Sequence, residues 1–363
     1  MLDRIVEVFC EVDDFCKAFL PQWEAFLIGP GGPAPRGPQP GLSTSEIITL
    51  LLVLHSSGFK HLKSFYHGFA EPLLRGYFPG LPCYEHFVAL QKSAFVPLVF
   101  FLLSHLGTRT GLYYIDSTAL PVCDNHRINR HKVFAGLAQR GKTSMGWFFG
   151  FKLHLVFNTD NEIVALKLTP GNVHDTTPVP ALTRDLTGKL FGDKGYIGQK
   201  LAEDLLRRGL TLFTRVRKNM KALPISLEDK ALLNARNMAE TIIGHIKEFS
   251  SLNLSKHRSV INAFVHIIAA ITAYQINPFK PKRNLQLGYQ LETTDGDTYV
   301  GLLTTETASA ITLLQPNNTQ QEIPRTSIKS LGTTKLSLMP EGLEQGLTPQ
   351  DLANLITFIQ QPR

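Results

Sequence analysis

The stretch GLYYIDSTAL, residues 111–120, decides the fold, because it reads as a buried β-strand with one acidic residue, Asp116, inside it. An ionised carboxylate in an apolar strand loses its hydration unless a partner or a cation replaces the lost water. An isolated aspartate in this setting is most often held by an arginine or caps a turn. The interpretation of the stretch therefore depends on what the rest of the chain brings to Asp116.

The residues that follow keep a β-period up to about residue 217. Strands are predicted over 111–119, 150–159, 162–170, 189–193 and 210–217. The pair Asp160–Asn161 indicates a tight turn, so the second and third strands form a hairpin. Helices are predicted at 178–186, 199–209 and 226–250, the last one capped by Ser226. This order predicts an α/β fold, a mixed sheet with helices on both faces.

The chain before the sheet is predicted to be an all-α N-terminal region. Residues 1–28 carry apolar side chains at helical spacing, and residues 29–42 are a linker rich in proline and glycine. A helical region over 43–108 begins at a capping-box pattern, Ser43 with Glu46 three residues later. Within it, the run FKHLKSFYHGF at 59–69 is as typical of a DNA-binding helix as of an ordinary amphipathic helix.

Length, charge and cysteine content limit the class of protein. The 363 residues, 43% of them apolar, are enough for more than one domain with a sizeable core. The formal net charge is +7, and residues 281–363 contain six basic and eight acidic residues, so the excess of positive charge lies before them. Such a charge suggests a polyanionic partner, for example nucleic acid.

The four cysteines form no CxxC pair, which argues against a disulfide framework and against a zinc site. We expect reduced thiols and a cytoplasmic protein. The first residues do not read as a signal peptide. The apolar runs at 94–106 and 260–274 are predicted to be buried helices, too short to span a bilayer.

A second acid follows the fourth predicted strand, Asp193 in FGDKGYIG. If the first and fourth strands are neighbours, Asp116 and Asp193 lie side by side at one end of the sheet, where a divalent cation such as Mg²⁺ would relieve their repulsion. A third acid is expected from the last helix, where Glu240 lies on the same face as Arg236. An Arg236–Glu240 surface pair would explain that face as well. Asp175 and Asp124 are alternative third acids.

These residues carry a resemblance. The order and spacing of Asp116, Asp193 and Glu240, with Arg236-x3-Glu240-x6-Lys247, resemble the signature of DDE transposases encoded by bacterial insertion sequences. The chain is similar to the insertion sequence 982 family in particular over about residues 1–280. The strings that carry this similarity are EVDDFCKAF, IDSTALPVC, GKTSMGWFFGFKLHL, LTPGNVHD, GKLFGDKGYI and HRSV. Leu233 stands where related groups have a tyrosine.

The resemblance implies a ribonuclease H-like catalytic domain over 109–280. Asp116, Asp193 and Glu240 would be the catalytic residues and the ligands of two Mg²⁺ ions about 4 Å apart, with Mn²⁺ as a substitute. The reaction would be DNA cleavage and strand transfer at element ends. The implied partners are double-stranded DNA with terminal inverted repeats and a second copy of the chain in a synaptic complex, and no membrane. A catalytically inactive DNA-binding remnant and a nuclease that cuts without joining are alternatives.

Several basic residues are predicted to contact DNA phosphates. The run HRINRHKVFAGLAQRGK at 126–142 can neutralise several phosphates, although a solvated loop is the alternative. The basic residues nearest the acids are expected to act in the same way, and Trp147 and Phe148 either stack on a base or belong to the core. The predicted DNA-binding residues are Arg127, Arg130, Lys132, Arg140, Lys142, Lys194, Arg236 and Lys247.

The tail, residues 284–363, differs in composition and is predicted to be a small β-barrel-like module with a C-terminal helix. Asp295–Gly296 indicates a hairpin turn, Pro316–Asn318 a second turn, and Thr348–Pro349 the start of the helix. The tail is similar to the C-terminal part of haem-binding, cytochrome c-like proteins of planctomycetes, in which the residue matching Met339 would be a haem ligand. The chain has no CxxCH, so no haem is expected. We interpret the tail as a readthrough fusion, which requires an interrupted cytochrome gene in the flanking DNA.

Overall fold

The computed structural model describes residues 2–28, 41–144, 146–215, 226–248, 252, 257–280, 288–307, 309–315 and 319–333. The chain divides into two compact units, Met1–Arg283 and Asn284–Arg363. Most of the predicted linker at 29–42, the turn at 316–318, Met339 and the C-terminal helix lie outside the described residues.

The first helix of the first unit, α1 (Leu2–Ile28), is a single helix of 27 residues that contains Pro21. Next comes α2 (Thr44–Ser56), whose predicted capping box is confirmed. Glu46 donates its backbone N–H to Ser43 Oγ at 3.2 Å, and the Ser43 backbone N–H donates to Glu46 Oε2 at 2.6 Å. Because α2 is buried over most of its length, it forms the centre of the helical region.

Short helices complete this region. They are α3 (Leu62–Phe65), a π-helical turn (Tyr66–Ala70), α4 (Glu71–Leu73), α5 (Tyr84–Leu90), a 3₁₀ turn (Gln91–Ala94) and α6 (Phe95–Ser104). The run at 59–69 is amphipathic, since Phe65 and Tyr66 are fully buried whereas Lys60 and Lys63 are exposed.

The apolar run at 94–106 continues a longer helical stretch, Tyr84–Ser104, whose 21 residues are long and apolar enough to cross a membrane by length and composition only. Length and composition alone are weak evidence for a membrane span, because core helices of soluble proteins share them. Leu98 and Phe101 are buried against the neighbouring helices. The stretch is therefore interpreted as part of the core.

The sheet of the first unit has six strands. They are β1 (Leu112–Cys123), β2 (Gln139–Thr143), β3 (Gly146–Phe157), β4 (Ile163–Pro170), β5 (Gly188–Gly192) and β6 (Leu210–Thr214). The order is β2-β3-β1-β5-β6, with β4 also paired to β3. The pairs β1–β5 and β5–β6 are parallel and the others antiparallel, so the predicted mixed sheet is confirmed.

All five predicted strands are present, and β2 is the strand that the sequence did not predict. It overlaps the end of the basic run 126–142, for which a solvated loop was the alternative to a phosphate-binding segment, and it pairs with the first residues of β3. The predicted hairpin joins β3 and β4, where Asn158 donates its backbone N–H to the Glu162 carbonyl at 3.0 Å. Asn161 adopts φ 62° in this turn. Asparagine tolerates that left-handed conformation better than most residues.

Helices cover both faces of the sheet. One face packs on α7 (Val179–Leu182) and α8 (Gln199–Leu206), and the other on α10 (Asn237–Glu248) and α11 (Val260–Gln275). Tyr113 and Tyr114 point to opposite faces, as alternation along a strand requires. The opposite side of α11 packs into the core of the N-terminal helices, through Val265 and Ala269. The sheet and the helical region therefore share α11.

The helix predicted at 226–250 is two helices, α9 (Leu227–Ala235) and α10, separated at Arg236. Its predicted cap is confirmed, because Ser226 Oγ accepts the backbone N–H of Asp229 at 3.0 Å. The break brings Arg236 out of regular helix and next to the sheet.

The second unit contains a five-stranded antiparallel sheet. Its strands are β7 (Gly288–Thr293), β8 (Thr298–Glu306), β9 (Ala310–Leu314), β10 (Gln320–Pro324) and β11 (Ile328–Thr333), in the order β10-β9-β8-β7-β11. The predicted hairpin at Asp295–Gly296 joins β7 and β8, and Gly296 has φ 91°. Over the described residues, β10 and β11 are the two ends of this order, so the strand pairings there do not close a barrel.

Candidate active site at the ends of β1 and β5

Asp116 lies on β1 just beyond its parallel pairing with β5. The register pairs Tyr114 with Phe191, so the next residues on the same face, Asp116 and Asp193, come to the same end of the two strands. The neighbouring strands predicted for the two acids are therefore confirmed. Asp116 shares the face of Tyr114, which packs towards α10.

The Asp116 carboxylate is largely buried, with a side chain 17% exposed. Its Oδ1 accepts the backbone N–H of Ser117 at 2.8 Å. Burial raises the pKa of Asp116 to about 6, and the Ser117 hydrogen bond and the Arg236 charge oppose that rise. The charges of Glu240 and Asp193 raise the pKa of Asp116 further. The acid that organises the sheet end is thus held in an environment that disfavours its ionised form.

Asp193 follows β5 directly and begins a 3₁₀ turn (Lys194–Tyr196). Its side chain is half exposed. The preceding Gly192 is packed tightly, since a Cβ there would lie 3.1 Å from the Tyr196 ring and 3.2 Å from Ile115 Cγ2. The turn that presents Asp193 therefore has little room for a side chain at Gly192.

Glu240 reaches the same place from the first turns of α10. The three acids meet at the guanidinium of Arg236. Arg236 Nη2 lies 2.7 Å from Glu240 Oε1 and 4.0 Å from Asp193 Oδ1, and Nη1 lies 3.5 Å from Asp116 Oδ2. The structure thus brings the three acids selected from the sequence around one cationic group.

Arg236 is the central residue of this cluster, and the sequence did not assign it that position. It is 4% exposed, and its Nε has no hydrogen-bond partner among the described residues. The Arg236–Glu240 pair considered from the sequence is present, but it is not a simple surface pair, because Arg236 is buried although Glu240 is exposed. The prediction that Arg236 contacts DNA disagrees with this conformation, because its guanidinium is buried against the three carboxylates.

The three carboxylates have the chemistry that Mg²⁺ prefers, hard oxygen ligands on two strand ends and a helix. In this conformation the guanidinium lies between them. Among the described residues, no three His, Cys, Asp or Glu side chains are arranged to hold a metal ion. The three carboxylates are thus suitable ligands for a divalent cation by their chemistry, but Arg236 would first have to move away from them.

A second polar cluster lies beside Asp116, and most of it was missed at the level of sequence. Asp175 Oδ1 accepts hydrogen bonds from Ser117 Oγ at 3.0 Å and from Lys152 Nζ at 3.1 Å. Lys152 is 8% exposed and also donates to the Val173 carbonyl at 3.0 Å. A lysine inside the apolar strand GFKLHLVF was the available signal. Asp175, an alternative third acid, is instead paired with Lys152.

Tyr196 completes this second cluster. Its hydroxyl is buried and has no hydrogen-bond partner among the described residues. Burial raises the pKa of the Tyr196 phenol well above its usual range, and the charges of Asp116 and Asp175 act in the same direction. Tyr196 is therefore a neutral, buried neighbour of the acids.

The basic run at 126–142 is exposed, as binding to phosphates would require. Residues 125–130 form a 3₁₀ helix, and 139–143 form β2. Phe134 is fully buried and belongs to the core, so it does not lie among the exposed cations. The exposed basic residues of the run are Arg127, Arg130, Lys132, Arg140 and Lys142.

Trp147 is the aromatic residue that accompanies these cations. It is 62% exposed, and Lys142 Nζ lies 5.7 Å from the centre of its ring. Phe148, by contrast, is 7% exposed and belongs to the core. Near the acids, Lys194 is exposed, whereas Lys247 is partly buried and burial lowers its pKa. The roles of these residues towards DNA stay predictions.

The acids, their strands and the helix of Glu240 all lie inside one stretch of chain that can be compared with known families. Residues 106–260 match the family model of the transposase DDE domain. The matched domain contains Asp116, Asp193 and Glu240 together with Arg236. Transposition, DNA recombination and mobile elements are accordingly the setting that the comparison supports.

Two solved structures were also similar. A piggyBac transposase synaptic complex with hairpin DNA shares 12% identity at a TM-score of 0.41, covering 74% of this chain and 72% of that one. A simian T-cell lymphotropic virus intasome in complex with PP2A regulatory subunit B56 gamma shares 12% identity at a TM-score of 0.24, covering 69% and 95%. Neither TM-score is high enough to support an argument about this chain. No curated protein matched it.

Proposed function

We propose that this chain is a metal-dependent DNA transposase of an insertion sequence, of the insertion sequence 982 type. The observation that carries the proposal is the meeting of Asp116, Asp193 and Glu240 around one guanidinium, all within 4.0 Å, inside the matched domain. Through the β4–β3 pair the sheet also contains the path β4-β3-β1-β5-β6, in which β3 is antiparallel to β4 and β1 and β5 is parallel to β1 and β6. This arrangement supports a ribonuclease H-like catalytic domain.

Asp116, Asp193 and Glu240 would hold divalent cations, and these ions would activate a water or a DNA 3′-hydroxyl and stabilise the leaving oxygen. The residues of the chain determine where that chemistry takes place. The parallel β1–β5 pair fixes the two aspartates relative to each other, and α10 brings Glu240 to them. Before metal binds, Arg236 neutralises part of the charge of the acids.

The exposed cations Arg127, Arg130, Lys132, Arg140 and Lys142, with Lys194 and Lys247, would bind the phosphates of the DNA. Neutralising several phosphates makes binding strongly dependent on salt. Lys142 lies over the ring of Trp147, which places an exposed aromatic surface beside the cationic one. A synaptic complex of two chains with two DNA ends is part of this proposal, because strand transfer joins two ends.

The proposal is tested with the genomic DNA that surrounds the coding sequence, in the presence of Mg²⁺, by following strand cleavage and joining on gels. Wild type is compared with Asp193→Asn. The matched control is Asp204→Asn, because Asp204 lies on α8, away from the cluster, and is paired with Arg207. We expect Asp193→Asn to lose at least about a hundredfold in cleavage rate and Asp204→Asn to keep it.

Equal activity of wild type and Asp193→Asn would overturn the metal-site assignment. Cleavage without joining would favour a nuclease. Binding of the DNA without cleavage by the wild type would favour an inactive remnant.

A further inference from the structure

A cavity of about 600 Å³ lies in the helical region, between the end of α2, the residues around Lys60, α5 and the start of α11. Its volume falls in the range of pockets that bind small molecules. Its walls combine aromatic rings, cationic side chains and one buried amide. The residues used below are Phe59, Lys60, Lys63, Tyr84, Gln91 and Arg258.

One of the residues that line the cavity, Gln91, carries an unsatisfied hydrogen-bond donor. His266 Nδ1 lies 2.9 Å from His55 Nε2, and His266 Nε2 lies 3.2 Å from Gln91 Oε1. Gln91 is 1% exposed, and its Nε2 has no partner among the described residues. Leaving an amide N–H buried without an acceptor is unfavourable. A ligand with a carbonyl oxygen would supply the acceptor.

The histidines themselves do not make this a metal site. Both ring nitrogens of His266 are within hydrogen-bond distance of protein partners, so neither is open to a metal. Burial, followed by the charges of His55 and His257, keeps the pKa of His266 well below its usual value. His266 is therefore neutral, and its role is to fix the Gln91 amide.

The outer side of the cavity attracts anions. Lys60, Lys63 and Arg258 are exposed there, against one acid, Glu85. The 16-residue helix α11 also begins at this side, capped by Ser259. Cationic side chains and a helix N-terminus together favour a phosphate. The rings of Phe59 and Tyr84 also line the cavity, and a planar base would be held there by contact with aromatic surface.

We propose that this cavity binds a single nucleotide, with the base inside and the 5′-phosphate at the cationic side. A purely apolar ligand would leave Gln91 Nε2 unsatisfied, and a phosphate alone would leave the aromatic space empty. This inference rests on the proposed function, and the nucleotide is accordingly one that has been displaced from a DNA duplex. Leu252 and His257, which follow the helix of Glu240, line the cavity and connect it in the chain to the acidic cluster.

The test measures binding of the full chain, without divalent metal, to two fluorescent DNA duplexes of the same sequence. One duplex is fully paired, and the other contains a single bulged thymidine, which presents carbonyl acceptors and is easily displaced. We expect the bulged duplex to bind roughly tenfold more tightly in fluorescence anisotropy. Thymidine monophosphate should compete for the bulged duplex better than inorganic phosphate or thymidine.

The variants separate this cavity from the general DNA surface. Gln91→Leu and, independently, the exposed Arg258→Ala should each abolish most of the preference for the bulged duplex while leaving affinity for the paired duplex unchanged. Lys132→Ala, in the exposed basic run, is the matched control and should weaken both duplexes alike. Thermal unfolding shows whether Gln91→Leu is folded, and Arg258→Ala decides the question if it is not.

Equal affinity for the two duplexes, or a preference that survives in Arg258→Ala, would overturn the proposal. Competition by inorganic phosphate as strong as that by thymidine monophosphate would also overturn it, as a phosphate site only. Binding of free thymidine monophosphate without any preference for the bulged DNA would assign the cavity to a free nucleotide and refute the DNA source. This binding test requires neither metal nor DNA cleavage. Its failure can therefore be distinguished from failure of the cleavage test with Asp193→Asn.

Discussion

At the scale of single residues, the centre of the site is a buried arginine. Arg236 faces three carboxylates, which compensate the positive charge of its guanidinium. The repulsion among the acids is relieved only while the guanidinium remains between them. Removing one partner of a buried ion pair is strongly destabilising, because the remaining charges are uncompensated. The same reasoning predicts that a divalent cation and Arg236 compete for the acids.

The substitution Arg236→Gln tests this competition. Without metal, we expect the free energy of unfolding to fall by about 3 kcal/mol, because three acids then face one another without a cation. Mg²⁺ should restore much of the loss, so that it raises the melting temperature of the variant more than that of the wild type. Thermal unfolding with and without Mg²⁺ measures both effects.

The triple combination with Asp193→Asn and Glu240→Gln is the control, since it removes the repulsion and should make Mg²⁺ ineffective. An equal rise in melting temperature for wild type and Arg236→Gln would show that the guanidinium and the metal do not compete.

At the scale of elements, the parallel pairing of β1 with β5 sets the separation of the two aspartates. Gly188 begins β5 with φ +108°, and a Cβ on it would overlap the Gly111 carbonyl oxygen. That same carbonyl accepts the Lys189 backbone N–H at 2.8 Å, which starts the pairing. Only glycine combines this backbone conformation with so close an approach.

The substitution Gly188→Ala is therefore expected to destabilise the protein by at least about 2 kcal/mol and to lower Mg²⁺-dependent cleavage. Gly244→Ala is its matched control, since Gly244 lies within α10 and a Cβ there would meet nothing within 4 Å. Alanine at 244 should raise stability by up to about 1 kcal/mol. Denaturant unfolding of both variants measures the difference, and similar effects would refute the role assigned to the β1–β5 contact.

At the scale of the whole molecule, the described buried cores of the first unit are built without the tail. The three apolar cores contain residues that range from α1 to α11 and include every strand of the six-stranded sheet except β2, all before Arg283. The five-stranded sheet of the second unit is assembled from its own strands. Folding of the acid-bearing unit should therefore not require the tail.

We predict that a protein ending at Arg283 folds cooperatively and keeps the cleavage that depends on Asp193. Circular dichroism and thermal unfolding should give a melting temperature within a few degrees of the first transition of the full chain. A truncated chain without a cooperative transition would show that the tail is required for folding. A folded but inactive truncated chain would assign the tail a role in catalysis or assembly.

The sequence alone identified the features that depend on local pattern. Strand periodicity gave the five strands, the Ser43 and Ser226 caps gave the helix starts, and the order of acids gave Asp116 and Asp193 at neighbouring strand ends. It missed β2, because charged residues and glycine hide a short paired strand within the basic run at 126–142. It also missed the break at Arg236, because both halves have a helical period.

Tertiary structure alone decided what surrounds each polar side chain. Whether Arg236 is a surface residue or the buried counter-ion of three acids depends on how α9 and α10 pack on the sheet. The pairing of Lys152 with Asp175, and the donor of Gln91 in the cavity, likewise join residues far apart in the chain. Periodicity reports which residues are buried, whereas hydrogen bonds and ion pairs depend on distances that only the packed chain sets.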